Sequence, residues 1–252
     1  MGMLVLEVAL FCDRGGRKYN EDACGHWHSE RQLCCVLADG AGGHGGGDIA
    51  SRLTVQELIG RFSRQPSRSG RALGTLLREA NEALINERVP GTTRQDMHST
   101  VVCLVIDFVD HCAHRAHAGD SRMYWFRAGR LMDRTRDHSL VQSLVEAGML
   151  AEQDVRSHPR RSELRSALGL AADVLEVSSA DGSDIVQGGD VFLLCTDGLW
   201  EYIDDATFER TLVGSPTPRA WLDALSAEVR QAVSHKASHD NFSALVVWTN
   251  DG

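Results

Sequence analysis

Two apolar runs in this chain stop at an Asp-Gly pair: VLADGAGGHGGG, which carries Asp39, and VFLLCTDGLW, which carries Asp197. A short, continuously apolar run closed by turn residues reads as a buried strand. A third segment, HDNFSALVVW, sets Asp240 just ahead of another such run, and YNEDA supplies Glu21 and Asp22. Carboxylates at strand ends sit where a sheet delivers its functional groups. Several of them converging would repel strongly, since two unit charges ~5 Å apart cost roughly 3 kcal/mol at an effective dielectric near 20. Cations relieve that repulsion, and all-oxygen ligation suits magnesium or manganese rather than zinc. The pattern predicts a di-metal hydrolase.

A chain of 252 residues is long enough to bury a substantial core. No Pro/Gly/Ser-rich linker divides it, because the Gly cluster at 40–47 falls between a strand and a helix. The expectation is one domain over residues 1–252. The net charge of −9 argues against a nucleic-acid partner, whose phosphates demand excess Lys and Arg. Seven cysteines form no CxxC pair. Cys34, Cys35, Cys103 and Cys195 lie inside apolar runs as small hydrophobes. A reduced, cytoplasmic compartment is expected. MGMLVLEVALF lacks a basic n-region and is interrupted by Glu7, so it reads as a first strand, not a signal peptide. Leu6 fails the myristoylation pattern, and no segment reaches membrane-span length.

Along the chain, Leu4–Phe11 reads as a strand, and Ala23–His28 with Leu33–Ala38 as a hairpin. Val55, Leu58, Ile59 and Phe62 share one helical face, and Leu73, Leu76, Leu77, Ala80 and Leu84 mark a second helix. RFSRQPSRSGRALG between them reads as a basic, solvated loop. Thr100–Phe108 and Cys112–Ala118 form a hairpin that turns through Gly119-Asp120 into Arg122–Phe126. Ser139–Ala147 is a helix capped by Gly148. VRSHPRRSELRSALG lacks a clean apolar face and reads as a mobile surface excursion, a flap at about 148–170. Val174–Ser178, Val191–Cys195 and Phe242–Trp248 are strands, and Trp221, Leu225, Val229 and Ala232 mark a late helix. Antiparallel-looking strand groups with paired helices between them indicate α+β rather than a doubly wound fold.

Competing motifs fail on their own requirements. Gly40-Ala-Gly42-Gly-His-Gly45 follows a strand, yet the acidic partner of a dinucleotide fingerprint would fall at Glu57, inside a helix. No Lys follows, which excludes a Walker loop, and Gly119-Asp-Ser-Arg-Met lacks the closing Gly of a nucleophile elbow around Ser121. His26 with His28, or His111, Cys112, His114 and His117, suggest zinc. Period two puts His117 on the opposite face from Cys112 and His114, and two histidines do not close a structural site. Solvent-exposed hairpin and edge-strand histidines are the expectation.

The acidic set survives. The ordered series RKYNEDA, ADGAGGHGGG, HSTVV, HAGDSR, DHSLVQSLVEAG, HPRRSELRSALG, CTDGLW and HDNFSALVV resembles the metal-dependent protein serine/threonine phosphatases of the PP2C (PPM) family, bacterial branch. The match spans roughly residues 5–248. The resemblance implies an α-β-β-α sandwich, two antiparallel sheets flanked by helix pairs, with metals at one edge. It implies that Asp39 bridges two Mg²⁺ or Mn²⁺ ions, that Asp197 and Asp240 complete the first, and that the Gly40 carbonyl reaches the second. Asp22 would hold the second ion with Glu21 in support, directly or through water, and Asn241 would support the loop aiming Asp240. Asp120 would share a third, weaker ion with Asp197, and Arg122 would buttress the site. Arg17, five residues before Asp22, matches the arginine that grips phosphate. A guanidinium offers bidentate, permanently charged donors to a phosphoryl group.

The implied activity is hydrolysis of phosphoserine and phosphothreonine in proteins. Metal-activated water attacks in line, without a phosphoenzyme. The implied partners are a bacterial Ser/Thr kinase or its targets, in a soluble or a type VI secretion circuit, with the enzyme a monomer free of nucleic acid and membrane. Three departures stand out. Ala41 replaces the histidine proposed as general acid in animal members, with His44 further along. His98-Ser99-Thr100 replaces Gly-Thr-Thr, and Ser162 replaces Asn in the flap signature. The alternatives are a catalytically inactive PP2C-like binding module, opposed by the complete carboxylate set, and the weakened dinucleotide oxidoreductase.

Overall fold

A computed structural model describes residues 4–41, 46–180 and 184–252, so His44 lies outside the described residues. The first half runs β1 Leu4–Asp13, β2 Asp22–His28, β3 Gln32–Ala41, α1 Gly47–Arg64, α2 Gly70–Asn86, β4 His98–Ser99, β5 Val101–Asp107, β6 Cys112–Ala118, β7 Arg122–Arg127 and β8 Arg130–Arg134. The second half runs α3 Leu140–Glu146, β9 Ser178–Ser179, β10 Asp184–Ile185, β11 Asp190–Cys195, α4 Asp197–Trp200, α5 Asp205–Val213, α6 Pro218–Ala232 and β12 Phe242–Asp251. One sheet is ordered β1-β12-β11-β7-β8 and the other β10-β6-β5-β3-β2, paired antiparallel.

Strand periodicity builds the layers. On β3, Cys34, Val36 and Ala38 face α1 and α2, packing with Leu58, Phe62, Leu73 and Leu77. The intervening Leu33, Cys35 and Leu37 meet Phe192, Leu194, Leu245 and Val247 of the opposite sheet. That sheet turns Leu193, Cys195 and Val246 outward onto Phe208, Trp221, Leu225 and Val229 of α5 and α6. Three apolar seams therefore separate four layers, the α-β-β-α sandwich implied by the resemblance. Each buried aliphatic side chain contributes about 1.5–3 kcal/mol.

Several local expectations change. The basic loop shrinks to residues 65–69, since α1 continues to Arg64 and the Ser69 hydroxyl caps α2 by accepting from the Ala72 amide. Val174–Ser178 is not a strand: only Ser178–Ser179 pairs with β6. The Glu176 amide and carbonyl are instead satisfied by the Ser166 hydroxyl. β8 and α5 were not expected. His114 and His117 are buried rather than exposed, because β9, β10 and α2 cover β6. His117 stacks on His138 with ring centroids 4.6 Å apart. The Arg-rich excursion is tied down. Arg156 donates to the Trp200 carbonyl and to Asp205, Arg161 pairs with Glu201, and Leu168 bridges to Ser99. No helix among the described residues is long and apolar enough to cross a membrane.

Candidate active site

Antiparallel pairing brings the ends of β3, β6 and β11 and the starts of β2 and β12 to one edge of the sandwich. Asp39, near the end of β3, pairs directly with Asp22, the first residue of β2. Its backbone is gripped from β4: the Asp39 amide donates to the Thr100 hydroxyl at 3.1 Å, and its carbonyl accepts from the Thr100 amide at 2.8 Å and the Ser99 hydroxyl at 3.2 Å. Gly40 permits a close approach. A Cβ there would lie 1.9 Å from the Gly47 carbonyl oxygen, so any side chain would push away the start of α1. Gly119, at φ +103, makes the turn that crosses from one sheet to the other and delivers Asp120.

Asp197 is the first residue of α4, one residue past the end of β11, with Thr196 between. Asp240 precedes β12, and its Oδ2 accepts from Arg17 Nη2 at 2.7 Å, leaving both side chains partly exposed. Asn241 is a buried tie. Its Nδ2 donates to the Arg14 and Tyr19 carbonyls at 2.7 and 2.9 Å, and its Oδ1 accepts from the Glu21 amide at 2.8 Å. Asn241 thus fixes the segment between β1 and β2, which carries Arg17 and Glu21.

These groups surround a cleft of about 310 Å³ lined by Arg17, Glu21, Asp39, Gly40, Asp120, Asp197, Asp240 and Asn241. Ser162 of the excursion also reaches it. Asp22 lies beneath the wall, with Oδ2 accepting from the Thr196 hydroxyl at 3.1 Å. Burial, and then the surrounding carboxylates, push Asp39 well above the usual carboxylate range. Burial likewise raises Asp22 and Asp120, with Asp197 adding to both. Asp197 is pushed up to about 7 by burial, then by Glu201 and Asp240.

The Asp22 and Asp197 Oδ1 atoms are buried without a hydrogen-bond partner. An orphaned anionic oxygen of this kind costs several kcal/mol unless a proton or cation meets it. Among the described residues, no three His, Cys, Asp or Glu side chains close into a ready-made metal cage. An open cleft of hard oxygen donors suits an ion that keeps several of its waters, as Mg²⁺ does. The donor set therefore fits hard divalent cations.

Arg122, by contrast, is engaged away from the cleft. Its guanidinium makes two 2.8 Å bonds to Asp137 and lies 3.6 Å from the centre of the Trp200 ring. Trp200 Nε1 donates to the Asp120 carbonyl at 2.9 Å, so Arg122 and Trp200 brace the turn that presents Asp120. Sequence reasoning missed Thr196, Trp200 and the Arg161–Glu201 pair. Thr196, directly before Asp197, was the one within reach, as a hydroxyl beside a strand-end carboxylate.

Fold and cleft define a four-layer α-β-β-α protein with an acidic, oxygen-lined cleft at one edge of its sheets. The profile of the family described as Protein phosphatase 2C matches residues 14–236. The serine/threonine protein phosphatase PstP of Mycobacterium tuberculosis is 33% identical over 211 residues, covering 83% of this chain. The chain spans only 39% of that relative's length. A crystal structure of the PstP catalytic domain in complex with two manganese ions superposes with TM-score 0.77 at 28% identity, covering 98% of this chain and 100% of that one. PppA of Pseudomonas aeruginosa, described as a key regulatory component of T6SS, gives TM-score 0.76 at 32% identity over 99% of this chain and 100% of that one. The chain belongs to the protein phosphatase 2C family.

Proposed function

We propose that this protein is a metal-dependent phosphoserine/phosphothreonine protein phosphatase. The observation that carries the reading is the cleft in which Asp39, Asp120, Asp197, Asp240 and Glu21 converge beside Arg17. Asp39, Asp197 and Asp240, the Gly40 carbonyl, and Glu21 with Asp22 beneath it would hold two Mg²⁺ or Mn²⁺ ions. Asp120 and Asp197 would hold a weaker third. When bound, such ions lower the pKa of coordinated water and offset phosphoryl charge.

The chain's own residues supply binding and orientation. Arg17 sits at the cleft mouth and is held by Asp240. An incoming phosphoryl group competes for that guanidinium as a bidentate acceptor. Two of the cleft hydroxyls are already committed: Ser99 donates to backbone carbonyls, and Thr100 shares a 2.7 Å bond with Ser121. Neither is poised as a nucleophile, which favours direct attack by water over a phosphoenzyme. Ser162, with the excursion anchored through Arg161 and Glu201, borders the space a phosphopeptide would enter.

The reading extends to context. The chain acts as one domain over residues 1–252, as a cytoplasmic monomer, on phosphoproteins of a Ser/Thr kinase circuit. The similarity to PppA makes a type VI secretion kinase the first circuit to test. The deciding assay is hydrolysis of p-nitrophenyl phosphate and a phosphothreonine peptide with Mn²⁺ and after chelation. Turnover that needs Mn²⁺ and returns on its re-addition is expected. Full activity in excess EDTA would reject the reading.

A further inference from the structure

The sulfur atoms of Cys12 and Cys24 stand 3.2 Å apart. Cys12 belongs to β1 in one sheet and Cys24 to β2 in the other, so the pair spans the sandwich beside the cleft. Cys12 is exposed and Cys24 half-buried, whereas Cys34, Cys35, Cys103, Cys112 and Cys195 are buried. A disulfide bond is about 2.05 Å long, so a closing movement of roughly 1 Å joins the two sulfurs. The residues between them include Arg17, Glu21 and Asp22, and Cys24 follows Asp22 by two positions on β2.

We propose that Cys12 and Cys24 are a peroxide-oxidisable dithiol whose disulfide closes the segment carrying Arg17, Glu21 and Asp22 and lowers turnover at the cleft. The thiol chemistry stands by itself, while the effect on turnover rests on the phosphatase reading above. The exposed Cys12 sulfur attacks a peroxide oxygen. The O–O bond breaks, an alcohol or water leaves, and Cys12 becomes a sulfenic acid. The Cys24 sulfur then attacks the Cys12 sulfur, the S–O bond breaks, and water departs. The balance is two thiols and one peroxide giving one disulfide, one ROH and one water, with two electrons passing from the thiols to the peroxide. Exchange with a dithiol restores the reduced pair.

Drawing the sulfurs together pulls β2 toward β1 at Cys24, two residues along the strand from Asp22, which pairs with Asp39. A displacement of about 1 Å in a catalytic constellation costs on the order of a hundredfold in rate. The full chain is treated with hydrogen peroxide and mapped by mass spectrometry without reduction, and Mn²⁺-dependent turnover is read in parallel. The expected result is a linked Cys12–Cys24 peptide pair and a roughly ten- to hundredfold fall in turnover, reversed by dithiothreitol. Cys12→Ser and Cys24→Ser keep the untreated turnover, form no cross-link and resist this inhibition. Cys12 driven to sulfinic acid with Cys24 still free overturns the dithiol. A cross-link with unchanged turnover in an otherwise active enzyme overturns its control of the cleft. If the untreated enzyme is inactive, the phosphatase reading fails, and the peptide map still decides the dithiol.

Discussion

Two sets of buried and half-buried carboxylates in this protein are treated in opposite ways. Asp137 and Asp190 each receive a bidentate arginine, Arg122 and Arg127, with contacts of 2.7–2.8 Å. Asp107 is met by Arg68, by Gln32 and by the backbone amides of Val109 and Asp110. At the cleft, Asp22, Asp39, Asp120 and Asp197 face one another, and two of their oxygens have no partner at all. The first set is self-sufficient. The second is complete only with protons or cations, an arrangement that folding alone would not favour. A strained, unsatisfied cluster inside a well-packed frame is where function is sought first.

The comparison breaks most visibly at Asp39. Asp39→Asn removes charge from the centre of the unpaired set. Turnover with Mn²⁺ should fall by more than ~10⁴-fold, about 5 kcal/mol, while the chelated protein keeps or gains stability in a urea titration. Retained turnover would mean that Asp39 is not central to ion binding. The mirror experiment is Asp137→Asn, which strands the Arg122 guanidinium in a site only 2% exposed. A loss of about 3–5 kcal/mol in unfolding free energy is expected. The double replacement Arg122→Met with Asp137→Leu should recover much of it. A loss below ~1 kcal/mol in the single variant would show that water reaches this pair.

The strands and helices were legible in the sequence because their cause is local, whereas the stacking of four layers came from the resemblance. The continuous apolar runs of β3 and β11, and the stripes of α1, α2 and α6, follow from local side-chain chemistry alone. Asp39 and Asp197 were legible for the same reason, since each closes an apolar run, and Asp240 because it stands just ahead of one. α5 was legible too and was missed. Asp204 accepts from the Thr207 amide as its cap, and Phe208 and Leu212 form its buried stripe. β8, RLMDR, is mostly exposed and offers almost no apolar alternation, so only its pairing with β7 defines it. What sequence could not reveal is long-range pairing. Arg17 and Asp240 are 223 positions apart, and Cys12 meets Cys24 only because two sheets pack face to face.

A smaller effect is expected at the boundary between the two sets, where Arg17 is paired but exposed. Arg17→Ala should lower kcat/KM on a phosphopeptide by roughly 1.5–3 kcal/mol, the value of a charge-assisted contact to phosphate. Arg17→Lys should recover part of this, because an ammonium keeps the charge but not the fork. Kinetics unchanged in Arg17→Ala would make the Asp240 pair a surface contact and nothing more.

The smallest expected effect separates the two sets by pH. The folded pKa of Asp197 lies at about 7, above its ordinary 3.8, so between those values the folded protein holds a proton that the unfolded chain has released. Stability of the metal-free protein must therefore fall as pH rises through this window. Asp39, Asp22 and Asp120 are raised as well and act in the same direction. Asp13 and Asp204 are lowered and act oppositely, giving stability above the ordinary carboxylate range that is lost only as pH falls below it. Burial lowers His26, His98, His117 and His138 from the ordinary imidazole value, so between about pH 5 and pH 7.5 they gain stability with pH and oppose the cleft set; the cleft's share is read as the difference in urea midpoint between wild type and Asp197→Asn in EDTA. Cations compete with those protons, so the stabilisation that saturating Mn²⁺ adds over EDTA should grow as pH rises. Asp197→Asn removes one of the raised groups and should gain on wild type in EDTA as pH rises from 5 to 7.5. A difference in midpoint between wild type and Asp197→Asn in EDTA that does not change between pH 5 and pH 7.5 would show that Asp197 is as well satisfied as Asp137 and Asp190, and the distinction between the two sets would be lost.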